Sequence, residues 1–272
     1  MSTILGELGA EIIKVEHAKR PDNLRLAGRI VRDGAFVEGP STEMSPMYHQ
    51  VNHGKHGITL NIKKPEAVAL LKRLVSQSDA IIENMSPGSL ERSGLGYDAV
   101  KALNPRIVML AMSAAGQFGE LTKMRAYAPT MSSFVGMEKL IGYPGEDPIG
   151  ALNLGLSDPS ATVHALVPLL AALRRARVTG QGCYIDFSQI AALFGTLRPY
   201  ILESQLTGRQ PPPRGNRHPD MAPHGIYPAR GKDTYLTLSV ADDAQWQSLA
   251  KLAEGQSWAA DTRFESAPGR LD

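Results

Sequence analysis

A carboxylate at the head of a long apolar segment and a scatter of cations in polar loops are the parts of this sequence with chemistry to offer. Asp158 stands before Pro159. Asp followed by Pro is a common helix start, because the carboxylate accepts orphan N–H groups and Pro suits the first helical position. The same place keeps a carboxylate ionised through the helix dipole and amide hydrogen bonds, so Asp158 also qualifies as a nucleophile. Spacing alone favours the cap. Lys55, Lys63, Arg92, Lys123 and Arg125 flank or follow apolar runs that read as strands. Ligands of open parallel sheets bind at strand carboxyl ends, where phosphates seek Lys, Arg and free amides. Singly each of these cations reads as solvated surface charge; together they point to a polyphosphate ligand.

Other chemistries lack support. The seven His residues show neither H-x-x-x-H nor H-E-x-x-H spacing, so no metal site is expected. No G-x-S-x-G elbow presents a serine nucleophile. Gly94-Leu-Gly96-Tyr-Asp-Ala99 matches a relaxed dinucleotide fingerprint, but it follows helix-like Leu90–Ser93 instead of a strand, and its glycines read as turn formers. The single cysteine, Cys183, permits no internal disulfide; it reads as a small packed hydrophobe and fits a reducing cytoplasm. A formal net charge of +2 is too small for a nucleic-acid footprint. The longest nearly apolar stretch, Ala161 to Leu173, is shorter than the roughly twenty residues of a bilayer span.

The elements that must position these groups alternate between short apolar runs and helical periods. That alternation predicts an α/β fold, a Rossmann-like, mostly parallel sheet flanked by helices. The predicted strands are Glu11–Val15, Gly57–Ile62, Ala80–Glu83, Ile107–Met112 and Cys183–Phe187. A helix opens at Pro65 with Ala67, Leu70, Leu71 and Leu74 on one stripe. Another runs from Asp158 to about Val178 and closes at Gly180, which can take the left-handed cap. A helix from Ser188 carries Ile190, Phe194, Leu197 and Ile201 on one face. Pro211-Pro212-Pro213, Gly215 and Pro219 make a stiff connection. Beyond it Thr234–Val240 reads as a strand and Asp243–Ala253 as a helix. The domains expected are an α/β large domain over 1–207, a Pro/Gly-rich linker over 208–231 and the beginning of a smaller α+β domain over 232–272. The chain opens in a helical segment, Thr3–Leu8, and both ends read as cut.

Six blocks carry a resemblance. Leu8-Gly-Ala-Glu-Ile-Ile-Lys-Val-Glu16, Gly57 to Glu66, Ile82 to Tyr97, Leu103-Asn-Pro-Arg106, Thr179-Gly-Gln-Gly182 and Gly215-Asn-Arg-His-Pro219 together resemble the class III CoA-transferases, the CaiB/BaiF family that includes formyl-CoA transferase. The match spans nearly the whole chain in consistent order. It implies transfer of CoA from an acyl-CoA donor to a free carboxylic acid through acyl-aspartyl anhydride and aspartyl-CoA thioester intermediates. The block Leu154 to His164 matches the family's catalytic segment and makes Asp158 the nucleophile, held at the mouth of a nucleotide pocket with water excluded.

Carried over in the same way, Leu60, Lys63, Asn84, Met85, Arg92, Arg125 and Tyr127 would contact CoA. Lys63, Arg92 and Arg125 would neutralise phosphates, and Leu60 and Met85 would flank the adenine or pantetheine. CoA and acyl-CoA are substrates here, and no permanently bound cofactor is implied. Ala126-Tyr127-Ala128 replaces the Gly-His-Asp triplet of the racemase branch, which makes racemisation or epimerisation the lesser alternative. Ser157 replaces the usual Gly before the nucleophile. His17 stands where some relatives place an Arg, and no counterpart of the mobile glycine loop is visible near Ala229–Asp233. The family's subunits interlock as homodimers, and relatives extend past both ends of this chain. A non-catalytic CoA-binding fragment is therefore a third reading.

Overall fold

The computed structural model describes residues 1–27, 30–37, 42–151 and 155–272. Leu154, the first residue of the block around Asp158, lies outside the described residues. The chain packs as two compact units, one of residues 1–131 and 156–196 and the other of residues 132–155 and 197–272. The Pro/Gly-rich stretch 208–231 runs inside the second of these.

In the first unit, α1 (Ser2–Glu7) leads into β1 (Ile13–Glu16), and the short β2 (Val31–Arg32) and β3 (Ala35–Phe36) pair antiparallel. Next come α2 (Pro46–Asn52), β4 (His56–Thr59), α3 (Pro65–Val75), β5 (Ala80–Glu83), α4 (Ser89–Arg92), α5 (Tyr97–Leu103) and β6 (Val108–Ser113). After α6 (Ala128–Phe134) and α7 (Met137–Leu140), the chain returns with α8 (Ser157–Thr179), β7 (Cys183–Ser188) and α9 (Gln189–Thr196). All five sequence-predicted strands of this unit form, each displaced by at most a few residues at its ends. β1 pairs with β4, and β5, β6 and β7 form a three-stranded sheet in that order, every pairing parallel.

β6 is the middle strand and is buried throughout, as a strand covered on both faces must be. One face carries Val108, Leu110 and Met112, and these pack against Ala161, Ala165, Leu169, Ala172 and Ala176 of α8. Four of those five helix residues are alanines, whose small side chains let the helix lie close to the sheet. The other face gathers Ile107 and Met109 with Leu71 and Val75 of α3 and Val100 of α5. α3 therefore buries a stripe centred on Ala67, Leu71 and Val75, while Leu70, assigned to the buried stripe by its spacing, is about half exposed. Gly180 closes α8 with φ 73°, as its position predicted.

An ionic cluster ties the segment after β1 to α2. Arg25 donates to Glu16 at 2.9 and 3.1 Å, to Glu43 at 2.8 Å and to the Tyr48 hydroxyl at 2.6 Å. Its guanidinium lies over the Tyr48 ring, 3.7 Å from the centroid. Arg25 holds the Glu16 carboxyl well below the usual carboxylate range, at about 2.

In the second unit α10 (Arg198–Thr207) is separated from α9 by Leu197, so the single helix expected after Ser188 is two. β8 (His224–Pro228) and β9 (Tyr235–Ser239) form an antiparallel hairpin, followed by α11 (Asp243–Leu252) and α12 (Ala267–Leu271). Trp246 of α11 is the buried centre, with Trp258 and Phe264 ring centroids 5.8 and 5.9 Å away.

Candidate active site

The first unit holds a cavity of about 780 Å³ past the carboxyl ends of β4 and β5. The two strands belong to separate hydrogen-bonded groups. Open α/β sheets take their ligands outside the carboxyl ends of their strands. Among the described residues three cations, Lys63, Lys72 and Arg92, line the cavity, and no Asp or Glu does. Ile62, Val68 and Met85 supply an apolar wall and Ser89 a hydroxyl. Such a lining suits an anionic ligand with a flat or apolar body.

Local structure explains how each group gets there. β4 ends at Thr59, three residues short of the predicted Ile62, and the chain turns before Pro65 opens α3. In that turn the Lys63 amide donates to Asn61 Oδ1 at 3.1 Å. Leu60 is partly buried against the core, as Ile62 and Val68 are, and it does not line the cavity. After β5, the Met85 amide donates to Glu83 Oε2 at 2.6 Å, and Gly88, with φ 73°, turns the chain into α4. The Arg92 side chain folds back over that turn, donating to Ser89 Oγ at 3.1 Å and to the Pro87 carbonyl at 3.4 Å. A Cβ at residue 88 would sit 2.8 Å from Arg92 Nη1, so glycine leaves the guanidinium its place.

The structure thus brings Lys63, Met85 and Arg92 together. Asn84 is exposed and does not line the cavity, and neither do Arg125 and Tyr127, which precede α6 in an exposed segment. Lys72 and Ser89 escaped the sequence reading. Lys72 had a legible signal, since it follows Pro65, Val68 and Ala69 at i+7, i+4 and i+3 and so shares their helix face.

Asp158 departs from its expected setting in two ways. It is not the N-cap: the cap falls two residues earlier, at Leu156, with Ser157 first in α8 and Asp158 second. Ser157 is fully buried. The carboxylate still lies in the first turn, where the helix dipole favours negative charge. Ser157 Oγ donates to Asp158 Oδ2 at 3.4 Å. Asp158 is also exposed in this chain and does not line the cavity, so the expected exclusion of water is not supplied by these residues. Nothing in the sequence context of Ser157 signalled its burial.

Among the described residues no group of three or more His, Cys, Asp and Glu is placed to hold a metal ion, and no helix is long and apolar enough to cross a membrane. The model of CoA-transferase family III matches residues 1–272. The chain belongs to CoA-transferase family III. Similar members include a succinate–glutarate CoA-transferase of Agrobacterium fabrum, 29% identical over 98% of this chain and 66% of that protein. An acetyl-CoA:oxalate CoA-transferase of Acetobacter aceti is 30% identical over 99% of this chain and 66% of that protein. A crystal structure of a CaiB/BaiF family protein from Brucella suis superimposes with a TM-score of 0.85 at 28% identity, covering 99% of this chain and 69% of that one. This family III chain therefore spans about two thirds of the length of these relatives.

Proposed function

We propose that the protein to which this chain belongs moves CoA from an acyl-CoA to a small or medium carboxylic acid, with Asp158 as the nucleophile. The observation that carries the reading is the cavity of three cations and an apolar wall at the strand carboxyl ends of a family III chain. Lys63 and Arg92 would take phosphates of CoA and Met85 its adenine or pantetheine, with Lys72 as a further cation. Leu60, Asn84, Arg125 and Tyr127 remain proposed contacts of a ligand longer than this cavity.

The chemistry balances without water. An Asp158 oxygen attacks the thioester carbonyl, the C–S bond breaks, and an acyl-aspartyl anhydride forms with release of CoA thiolate. The thiolate attacks the aspartyl carbonyl, the donor leaves as its carboxylate, and an aspartyl-CoA thioester remains. The acceptor carboxylate attacks this thioester, and thiolate return to the acceptor's acyl carbon frees Asp158. Water must be kept out, because hydrolysis of either intermediate wastes the activation. Since Asp158 is exposed in this chain, we assign its cover to the rest of the protein in a homodimer. The apolar outer face of α8, with Val163, Val167 and Leu170 exposed, supports an assembly of that kind. The free thiol of Cys183 suits a cytoplasmic location.

Replacing Asp158 by Ala in the whole protein tests the reading. Transfer between an acyl-CoA and a free acid should fall at least about a thousandfold, as for loss of a covalent nucleophile, while CoA binding is retained. Mass spectrometry should find the enzyme-bound thioester in the wild type alone. Undiminished transfer by the variant overturns the assignment.

A further inference from the structure

We infer that Glu83 is a positioning residue for this cavity, anchoring the turn that presents Met85 and, through α4, Arg92. The inference rests on reading the cavity as the acyl-CoA site. Glu83 is the last residue of β5, and its carboxylate accepts the Met85 amide at 2.6 Å. From there a series of short-range bonds continues to the guanidinium. The Ser89 amide donates to the Ser86 carbonyl at 3.1 Å, and Arg92 reaches Ser89 Oγ at 3.1 Å. Released from Glu83, Met85 loses the bond that fixes the start of this series.

The surroundings of Glu83 set a second property. In register across the sheet lie Glu83 of β5, Ala111 of β6 and Asp186 of β7, so both carboxylates stand on one face. Glu91 of α4 and Tyr184 of β7 also face this group, and among the described residues Glu83 forms no ion pair. Burial pushes the Glu83 carboxyl up from the usual range; the charges of Glu91 and Asp186 push the same way, against the Met85 amide. Asp186 is itself held by the Gln117 amide at 2.9 and 3.0 Å. An ionised carboxylate accepts a stronger hydrogen bond than a neutral one. The grip on Met85 therefore weakens as acidification protonates Glu83, at a higher pH than an ordinary glutamate would require.

The test is titration of the whole protein with free CoA by calorimetry between pH 5 and 8. Glu83→Ala removes the acceptor and should weaken CoA binding about tenfold, the equivalent of one hydrogen bond. Glu83→Gln keeps an acceptor without the charge; it should weaken binding about threefold at neutral pH and flatten the acid side of the profile relative to wild type. The ligand's own phosphate titration is common to all three proteins and cancels in the comparison. If Glu83→Ala folds and binds CoA within twofold of wild type, the inference is overturned while the CoA reading stands. If Glu83→Ala does not fold, the Glu83→Gln profile decides, and an unchanged acid side overturns the inference. Failure of the wild type to bind CoA overturns both.

Discussion

Arg25 shows how one side chain can organise a segment that lacks regular structure. Residues 17–26 make little secondary structure, yet their path is fixed because Arg25 reaches Glu16, Glu43 and Tyr48 at once. Replacing Arg25 by Met leaves the partly buried Glu16 without its cation, and loss of hydrogen bonds to a charged group costs about 2 kcal/mol. In wild type the depressed Glu16 contributes stability above the usual carboxylate range, and the contribution is lost as pH falls toward about 2. Arg25→Met should therefore melt earlier at neutral pH and lose less stability on acidification than wild type; parallel curves from pH 2.5 to 7 would contradict the assignment. None of this was legible in the sequence, because the partners are 9 to 23 residues apart and share no period. Lys63 and Arg92 were legible as cations at strand ends, and Met85 only through a family pattern. The Asp-Pro pair read as a helix cap, yet α8 takes its cap two positions earlier, at Leu156.

The strands read correctly because a covered parallel strand is a continuous apolar run bounded by turn residues. Their ends read less well. Leu60 and Ile62 prolong the apolar alternation past Thr59, and both pack against the core from the turn, where Ile62 also lines the cavity. α8 hid its buried side for the opposite reason: its middle, Ala165 to Leu173, is apolar all round, and only the sheet decides that Ala165, Leu169 and Ala172 turn inward. The glycines between α8 and β7 separate two causes that sequence merges. Gly180 needs its positive φ, and a Cβ there would meet nothing within 4 Å, whereas a Cβ at Gly182 would lie 1.9 Å from the Ile107 carbonyl oxygen. Gly180→Ala should cost about 1 kcal/mol of backbone strain. Gly182→Ala must push β7 away from β6, costing about 3 kcal/mol or more in urea melts. Equal costs would refute the distinction.

The chain's division into units follows contacts that no local pattern encodes, since residues 132–155 join a unit whose other members begin at residue 197. Composition marked a change of character near residue 208, where Pro and Gly cluster, and not where the packing divides. What local pattern does expose is the face of α8 turned away from the sheet. Val163, Val167 and Leu170 follow one another at i, i+4 and i+7, and they are 64%, 72% and 43% exposed. An apolar stripe of that kind costs solubility unless another surface covers it. A homodimer covering it would also bring a second surface toward Asp158, which lies on the same helix, and would give the carboxylate the shelter that anhydride chemistry demands. The double variant Val163→Lys, Val167→Lys places two charges in that contact without touching the buried side of α8. The whole protein should be a dimer by light scattering, and the variant should dissociate, with transfer lost and stability of the isolated subunit kept. A variant that stays dimeric and active would show that the stripe is covered by something other than the second copy.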